Sequence, residues 1–292
     1  MNLVKKSIIP RIAAIHDMSG FGRCSLSVII PTLSSMGMQV CPLPTAVLST
    51  HTGGFEGYTF VDLTDTMKDY YKHWKSLGID FDCIYSGFLG SSEQIDIIMS
   101  FIDDFKKEGT LVVVDPVFAD SGKLYDTFSA DFIGHMRRLI SRAHIITPNI
   151  TEASFLLGNA FKDCYSREDV KKMLKDLCLL GPKTAVITSM VMEDAKNCVV
   201  AYDKEDDRFW RVLCDYIPAE YPGTGDIFTS VLTGALLEGD SLPVAIDRAV
   251  SFVSMAIRTT FGYNTPVREG VVLEKVLHTL SKTPERIKYE LL

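Results

Sequence analysis

Short runs of β-branched and other apolar residues alternate along the chain with longer stretches whose apolar positions recur at helical spacing. Residues 11–16, 39–48, 83–86, 110–115 (TLVVVD), 144–147 and 183–188 read as strands. Residues 24–36, 63–77, 93–107, 130–141 and 167–180 read as helices between them, the first carrying Pro31 as a potential kink. Several strands are continuously apolar rather than alternating, which is the pattern of parallel strands buried on both faces. Two further extended runs, 197–202 and 209–215, flank the charged turn 203–207 and predict a small antiparallel hairpin at a sheet edge. Beyond them the pattern is helical over 226–237, 243–260 and 269–280. No linker-like, low-complexity or repeated segment interrupts the alternation. The expectation is therefore one α/β domain over residues 1–292, with a central, mostly parallel sheet covered by helices on both faces.

Composition narrows the function classes. The 292 residues are 47% hydrophobic and 23% charged, as in ordinary globular proteins, and the formal net charge is −7. No basic stripe is present to neutralise phosphates, so a nucleic-acid partner is not expected. No run approaches the roughly 18 uninterrupted apolar residues of a membrane span. Lys5 and Lys6 precede an apolar stretch, but Pro10 and Arg11 break it too early for a signal peptide. Seven widely spaced cysteines form no CxxC pair, which suits reduced thiols in the cytoplasm.

In an open parallel sheet, ligands bind outside the carboxyl ends of the strands. Polar and glycine residues gather at those positions here. Gly20-Phe21-Gly22-Arg23-Cys24-Ser25 approaches a dinucleotide fingerprint. Ser25 replaces the third glycine, however, and the next strand ends without an acid for a ribose, so a dehydrogenase has little support. Gly122-Lys123 lacks the earlier glycine of a P-loop, because Val117 stands there. HExxH and GxSxG are absent.

Gly223-Thr224-Gly225-Asp226, directly before a helix, predicts an anion hole with a carboxylate beside it. The helix dipole and backbone N–H groups should keep Asp226 ionised. A plain helix start with Thr224 or Asp226 as N-cap is the competing reading. Asp115, ending an apolar strand, and Glu152, three residues after Asn149, can hold Mg²⁺ against phosphates. Their competing readings are a turn aspartate before Pro116 and a capping-box glutamate. His51 lies in a loop where it can meet a ligand, whereas His16 at a strand end reads as a core histidine.

Taken in order, Asp17-Met18-Ser19-Gly20-Phe21-Gly22, Leu43-Pro44-Thr45, Ser49-Thr50-His51-Thr52, Ser86-Gly87-Phe88-Leu89-Gly90, Asp115-Pro116-Val117, Asn149-Ile150-Thr151-Glu152 and Gly223-Thr224-Gly225-Asp226 resemble the ribokinase superfamily. The similarity is greatest to its pyridoxal kinase branch and runs from about residue 11 to 262. The resemblance implies a ribokinase-like fold and ATP-dependent phosphorylation of the 5′-hydroxymethyl of pyridoxal, pyridoxine or pyridoxamine. It gives Gly223, Thr224 and Gly225 the anion hole and Asp226 the proton removal. Asp115, Asn149, Glu152 and Thr188 fall at the Mg²⁺–ATP end, with Asp115 and Glu152 serving the metal. Asp17, Ser19 and Thr45 flank the substrate ring, with His51 and Phe88 beside it. It further implies a homodimer and a monovalent cation such as K⁺.

The chain departs from the pattern in three places. Asp17 stands where many members have Ser, Phe88 where they have Tyr, and no cysteine lies near Lys123-Leu124. An acid at position 17 is expected to accept a hydrogen bond from the ring N–H. Asp17-Met18-Ser19-Gly20 is also similar to hydroxymethylpyrimidine kinases, which keeps that activity as an alternative. A non-catalytic carrier of pyridoxal 5′-phosphate is the alternative from another class.

Overall fold

A computed structural model describes residues 8–215, 217–280 and 289–291. Its elements run β1 (Arg11–Phe21), α1 (Leu26–Ser35), β2 (Gln39–Thr50), β3 (Phe60–Asp62), α2 (Thr64–Ser76), β4 (Cys83–Ser86), α3 (Ser92–Phe105) and β5 (Leu111–Val114). A two-stranded ribbon follows, β6 (Ala119–Asp120) with β7 (Lys123–Leu124), then α4 (Ala130–Ile140), β8 (Ile145–Ile146), α5 (Ile150–Leu157) and α6 (Arg167–Leu179). The last elements are β9 (Thr184–Met192), β10 (Ala195–Asp203), β11 (Arg208–Leu213), α7 (Thr224–Glu238), α8 (Leu242–Tyr263) and β12 (Tyr289–Leu291).

Ten strands form one sheet in the order β12-β11-β10-β9-β8-β5-β4-β1-β2-β3. The middle of it, β2-β1-β4-β5-β8-β9, is parallel, and antiparallel pairs close both edges. β4 (CIYS) and β5 (LVVV) are buried at every residue. Successive side chains therefore feed two cores. Ile84, Val112, Val114 and Ile146 pack with α2–α6, while Cys83, Tyr85, Leu111, Val113 and Ile145 pack with α1, α7 and α8. Each fully buried Leu, Ile, Val or Phe contributes about 1.5–3 kcal/mol of transfer free energy. That stacking fixes the strand ends, where the polar motifs lie, as a rigid edge.

Several boundaries differ from the sequence reading. β1 continues five residues past His16, with a register shift against β2 between His16 and Met18, so Asp17 and Ser19 sit inside a strand. β9 likewise runs through Thr188 to Met192, accommodating Ser189 at φ +57. The segment after Asn149 is a helix, α5. The helix expected over 269–280 is instead three short 3₁₀ turns, Val267–Glu269, Leu273–Lys275 and Leu277–Thr279. Gly270 supplies the reason. Its φ is +76, and a Cβ there would stand 2.7 Å from the Arg23 carbonyl oxygen, so the chain turns tightly instead of coiling on. Among the described residues, no helix is long and apolar enough to cross a membrane.

Candidate active site

The start of α7 sets the geometry. Its N-cap is Gly223, in the left-handed region at φ +81, with no side-chain cap. A Cβ at Gly223 would lie 2.2 Å from the carbonyl oxygen of Arg23, so only glycine fits between the two segments. Neither Thr224 nor Asp226 is the N-cap. Thr224 donates its hydroxyl to the Tyr221 carbonyl (2.9 Å), and Gly225 is exposed. The first N–H groups of a helix have no intrahelical acceptor, so this end presents free donors and a positive partial charge.

Asp226, the third helical residue, is buried and turns across to the loop between β1 and α1. Its Oδ2 accepts the Ser25 N–H at 2.9 Å and the Cys24 thiol at 3.5 Å. Burial raises its pKa to about 6, the Ser25 N–H works downward, and the Asp17 charge adds to the rise. Dipole and N–H groups were expected to hold this acid low, but desolvation outweighs them. At neutral pH it is still mainly ionised, with far more proton affinity than a surface aspartate.

Asp17 is also buried, and both of its oxygens already have partners. Oδ1 accepts the Ser25 hydroxyl at 2.5 Å, and Oδ2 accepts the Ser19 hydroxyl at 3.2 Å. Burial pushes its pKa up, while the two serine hydroxyls oppose the shift. Thr45 and Phe88 come together at the neighbouring strand ends, the Thr45 hydroxyl donating to the Phe88 carbonyl at 3.1 Å. Gln94 fastens the same corner, giving Nε2–H to the Thr45 carbonyl and the Thr64 hydroxyl while accepting the Gly90 N–H. The Phe88 ring, half-buried, lies 5.8 Å from that of Phe128.

His51 is buried and acts as a clamp in this structure. Its Nδ1 accepts the Gly53 N–H (3.1 Å), which leaves Nε2–H to donate to the Arg268 carbonyl (2.7 Å). It thereby ties its loop to the segment after α8, with Phe55 edge-on at 5.0 Å. His16 is a core histidine, as its position suggested, wholly buried against Tyr85 and held near pKa 3 by desolvation.

Asp115 and Glu152 form the other end of the site. Asp115 Oδ2 accepts from the Thr229 hydroxyl of α7 at 3.3 Å. Burial and the Asp226 charge push its pKa up to about 8. Glu152 completes a capping box, with Oε2 accepting the Asn149 N–H (2.8 Å) and the Asn149 side chain accepting the Glu152 N–H (2.9 Å). Its Oε1 also accepts the Phe118 N–H at 3.2 Å. Burial, then repulsion from Asp115, raises the Glu152 pKa well above the usual range. Neither acid has a basic ion-pair partner among the described residues. Two buried, mutually repelling carboxylates are a donor set that fits a hard divalent cation, with Glu152 acting through water because its oxygens already serve backbone N–H groups. Asn149 and Thr188 form a β-bridge beside them, and the Thr188 N–H donates to the Pro148 carbonyl at 3.0 Å.

Ser25, Cys24, Thr229 and Gln94 escaped the sequence reading. Only Ser25 left a trace there, as the residue spoiling a third glycine.

Comparison with known proteins gives this edge its class. Residues 30–270 match the model of the phosphomethylpyrimidine kinase family, and the chain belongs to that family. Among solved structures, it is similar to a Bacteroides thetaiotaomicron protein described as a phosphomethylpyrimidine kinase, in a crystal form with pyridoxal. The identity is 50%, the TM-score 0.94, and the match covers 97% of this chain and 100% of that one. It is also similar to the pyridoxal kinase of Lactobacillus plantarum, with 32% identity, TM-score 0.86, and 94% and 97% of the two chains covered. The pyridoxal kinase of Arabidopsis thaliana is 28% identical over 262 residues, which is 84% of this chain and 80% of that protein.

Proposed function

We propose that this protein is an ATP-dependent kinase acting on the 5′-hydroxymethyl group of pyridoxal, pyridoxine or pyridoxamine. The observation that carries the reading is Asp226, a buried carboxylate with pKa about 6, aimed by the Ser25 N–H beside the open N-terminus of α7. Such a group is suited to take the hydroxyl proton of an acceptor. As the proton passes to Asp226, the acceptor oxygen bonds to the γ-phosphorus of ATP. The bond from that phosphorus to the β–γ bridging oxygen breaks, and ADP leaves. The free N–H groups around Gly223, Thr224 and Gly225 face the negative charge that develops in transfer. Asn149 and Thr188 lie at the phosphate end.

Asp115 and, through water, Glu152 would hold Mg²⁺, which supplies neutralisation of phosphate charge when bound. K⁺ is the monovalent cation expected to raise the rate. Val47, Phe60 and Val61 are exposed at the β2–β3 edge, which supports pairing of two copies there. Seven widely spaced cysteines with no CxxC pair support a reducing, cytoplasmic setting. Similarity to pyridoxal kinases and to a structure with pyridoxal favours a B6 vitamer, while the family description keeps hydroxymethylpyrimidine as the second substrate to try.

The test supplies Mg–ATP with each vitamer and with hydroxymethylpyrimidine, follows ADP, and locates the new phosphate by ³¹P NMR. Turnover of a vitamer with phosphate on its 5′ oxygen is expected. ADP formation with hydroxymethylpyrimidine alone, or vitamer binding without turnover, overturns the reading.

A further inference from the structure

Ser25 has an unusual backbone for a residue with a side chain. Its φ of +50 and ψ of −134 lie near the first central position of a type II′ turn, which glycine normally fills. The residue is buried and stands directly before α1, whose Leu26, Val28 and Ile29 are sunk in the core. The chain beyond Ser25 is therefore fixed, and the Ser25 φ and ψ together decide where its N–H points. At φ +50 that N–H reaches Asp226 at 2.9 Å. Rotation to an ordinary negative φ would carry it away.

Something must hold Ser25 in a conformation that its side chain disfavours. The Ser25 hydroxyl donates to Asp17 Oδ1 at 2.5 Å, a charge-assisted hydrogen bond between buried groups. Asp17 in turn is braced by the Ser19 hydroxyl at 3.2 Å. One residue thus joins two carboxylates, by its hydroxyl on one side and its N–H on the other.

We propose that Asp17 and Ser25 are positioning residues for the base: Asp17 clamps the Ser25 hydroxyl, and the clamped backbone aims the Ser25 N–H to fix the Asp226 carboxylate. The assignment rests on the kinase reading above. It stands beside the expectation that Asp17 meets the substrate's ring N–H, and the two differ in what an Asp17 substitution does to kcat and to the pyridoxal KM.

Glycine provides the test, because it adopts this backbone without a clamp. In steady-state kinetics with pyridoxal and Mg–ATP, Ser25→Ala is expected to lower kcat by about 10–100-fold, the cost of a misplaced catalytic group. KM for both substrates should stay within about threefold, since neither is touched. Ser25→Gly is expected to keep most of the rate, although it removes more atoms than Ala does. Asp17→Ala should lower kcat as Ser25→Ala does, yet cost less than about threefold in the Ser25→Gly background, because coupled residues are non-additive. Should Asp17→Ala fail to fold, Asp17→Asn in the same two backgrounds gives the same comparison with a smaller first loss. Equal rates for Ser25→Ala and Ser25→Gly would overturn the proposal. So would an Asp17 substitution that raises the pyridoxal KM equally in both backgrounds, which is the signature of a ring contact. Either result leaves the kinase reading standing if the wild type turns over a vitamer. Absence of vitamer turnover in the wild type overturns both.

Discussion

Two helices, α5 and α7, begin at the ligand edge of the sheet with a carboxylate three residues after the N-cap, and they use it in opposite ways. At α5 the N-cap is Asn149, extended at φ −72 and ψ 171, and Asn149 and Glu152 cap each other reciprocally. The acid closes its own helix's cap with Oε2, while Oε1 accepts the Phe118 N–H. At α7 the N-cap is Gly223, which has no side chain to offer and sits at φ +81 because the Arg23 carbonyl leaves no room for a Cβ. Asp226 is one methylene shorter than a glutamate and turns outward to Ser25 instead. The same spacing gives a closed cap where the N-cap can reciprocate, and an available base where it cannot.

The first way to break that contrast is Asp226→Asn. The substitution keeps shape and helix propensity, so the fold and pyridoxal affinity, read by circular dichroism and calorimetry, should be preserved. Turnover should fall by about 10²–10⁴-fold, the range for a lost general base. A pure helix-start role predicts no loss, because Asn is well tolerated in the first turn.

A smaller effect sharpens the same point through pH. With Asp226 raised to about 6 and active only when ionised, kcat should be level above neutrality. It should fall about tenfold per unit below pH 6 as the base takes up its proton. A profile flat down to pH 4.5 would remove this carboxylate from proton transfer.

The parallel sheet was legible because its strands are short, continuously apolar runs that announce burial on both faces. β4 was read to the residue, and the β10–β11 hairpin to within two. The missed features depend on distant partners. Apolar positions at 271, 273, 276 and 280 imitate a helix, but the close approach of Arg23 to Gly270 breaks it. The hold that the Arg268 carbonyl, 217 positions away, has on the His51 ring left no signal in the sequence. Ser25 looks like a failed glycine, and its role emerges only from bonds to residues 8 and 201 positions distant. Polar motifs show where a site lies. Which of their atoms remain free is decided by long-range packing.

Magnesium separates the two helix starts most directly. Glutamine has one acceptor oxygen, which can keep the capping box but leaves its amide NH₂ facing the Phe118 N–H. Glu152→Gln should therefore fold with reduced stability and need several-fold more Mg²⁺ for half-maximal rate, a gap that closes at saturation. The decisive measurement is kcat at saturating Mg²⁺ for Glu152→Gln and Asp226→Asn side by side. Recovery of most of the wild-type rate in the first and a persistent loss of about 10²–10⁴-fold in the second is the predicted result. Recovery in both, or in neither, would contradict the division of labour between a capped metal-end acid and an uncapped base.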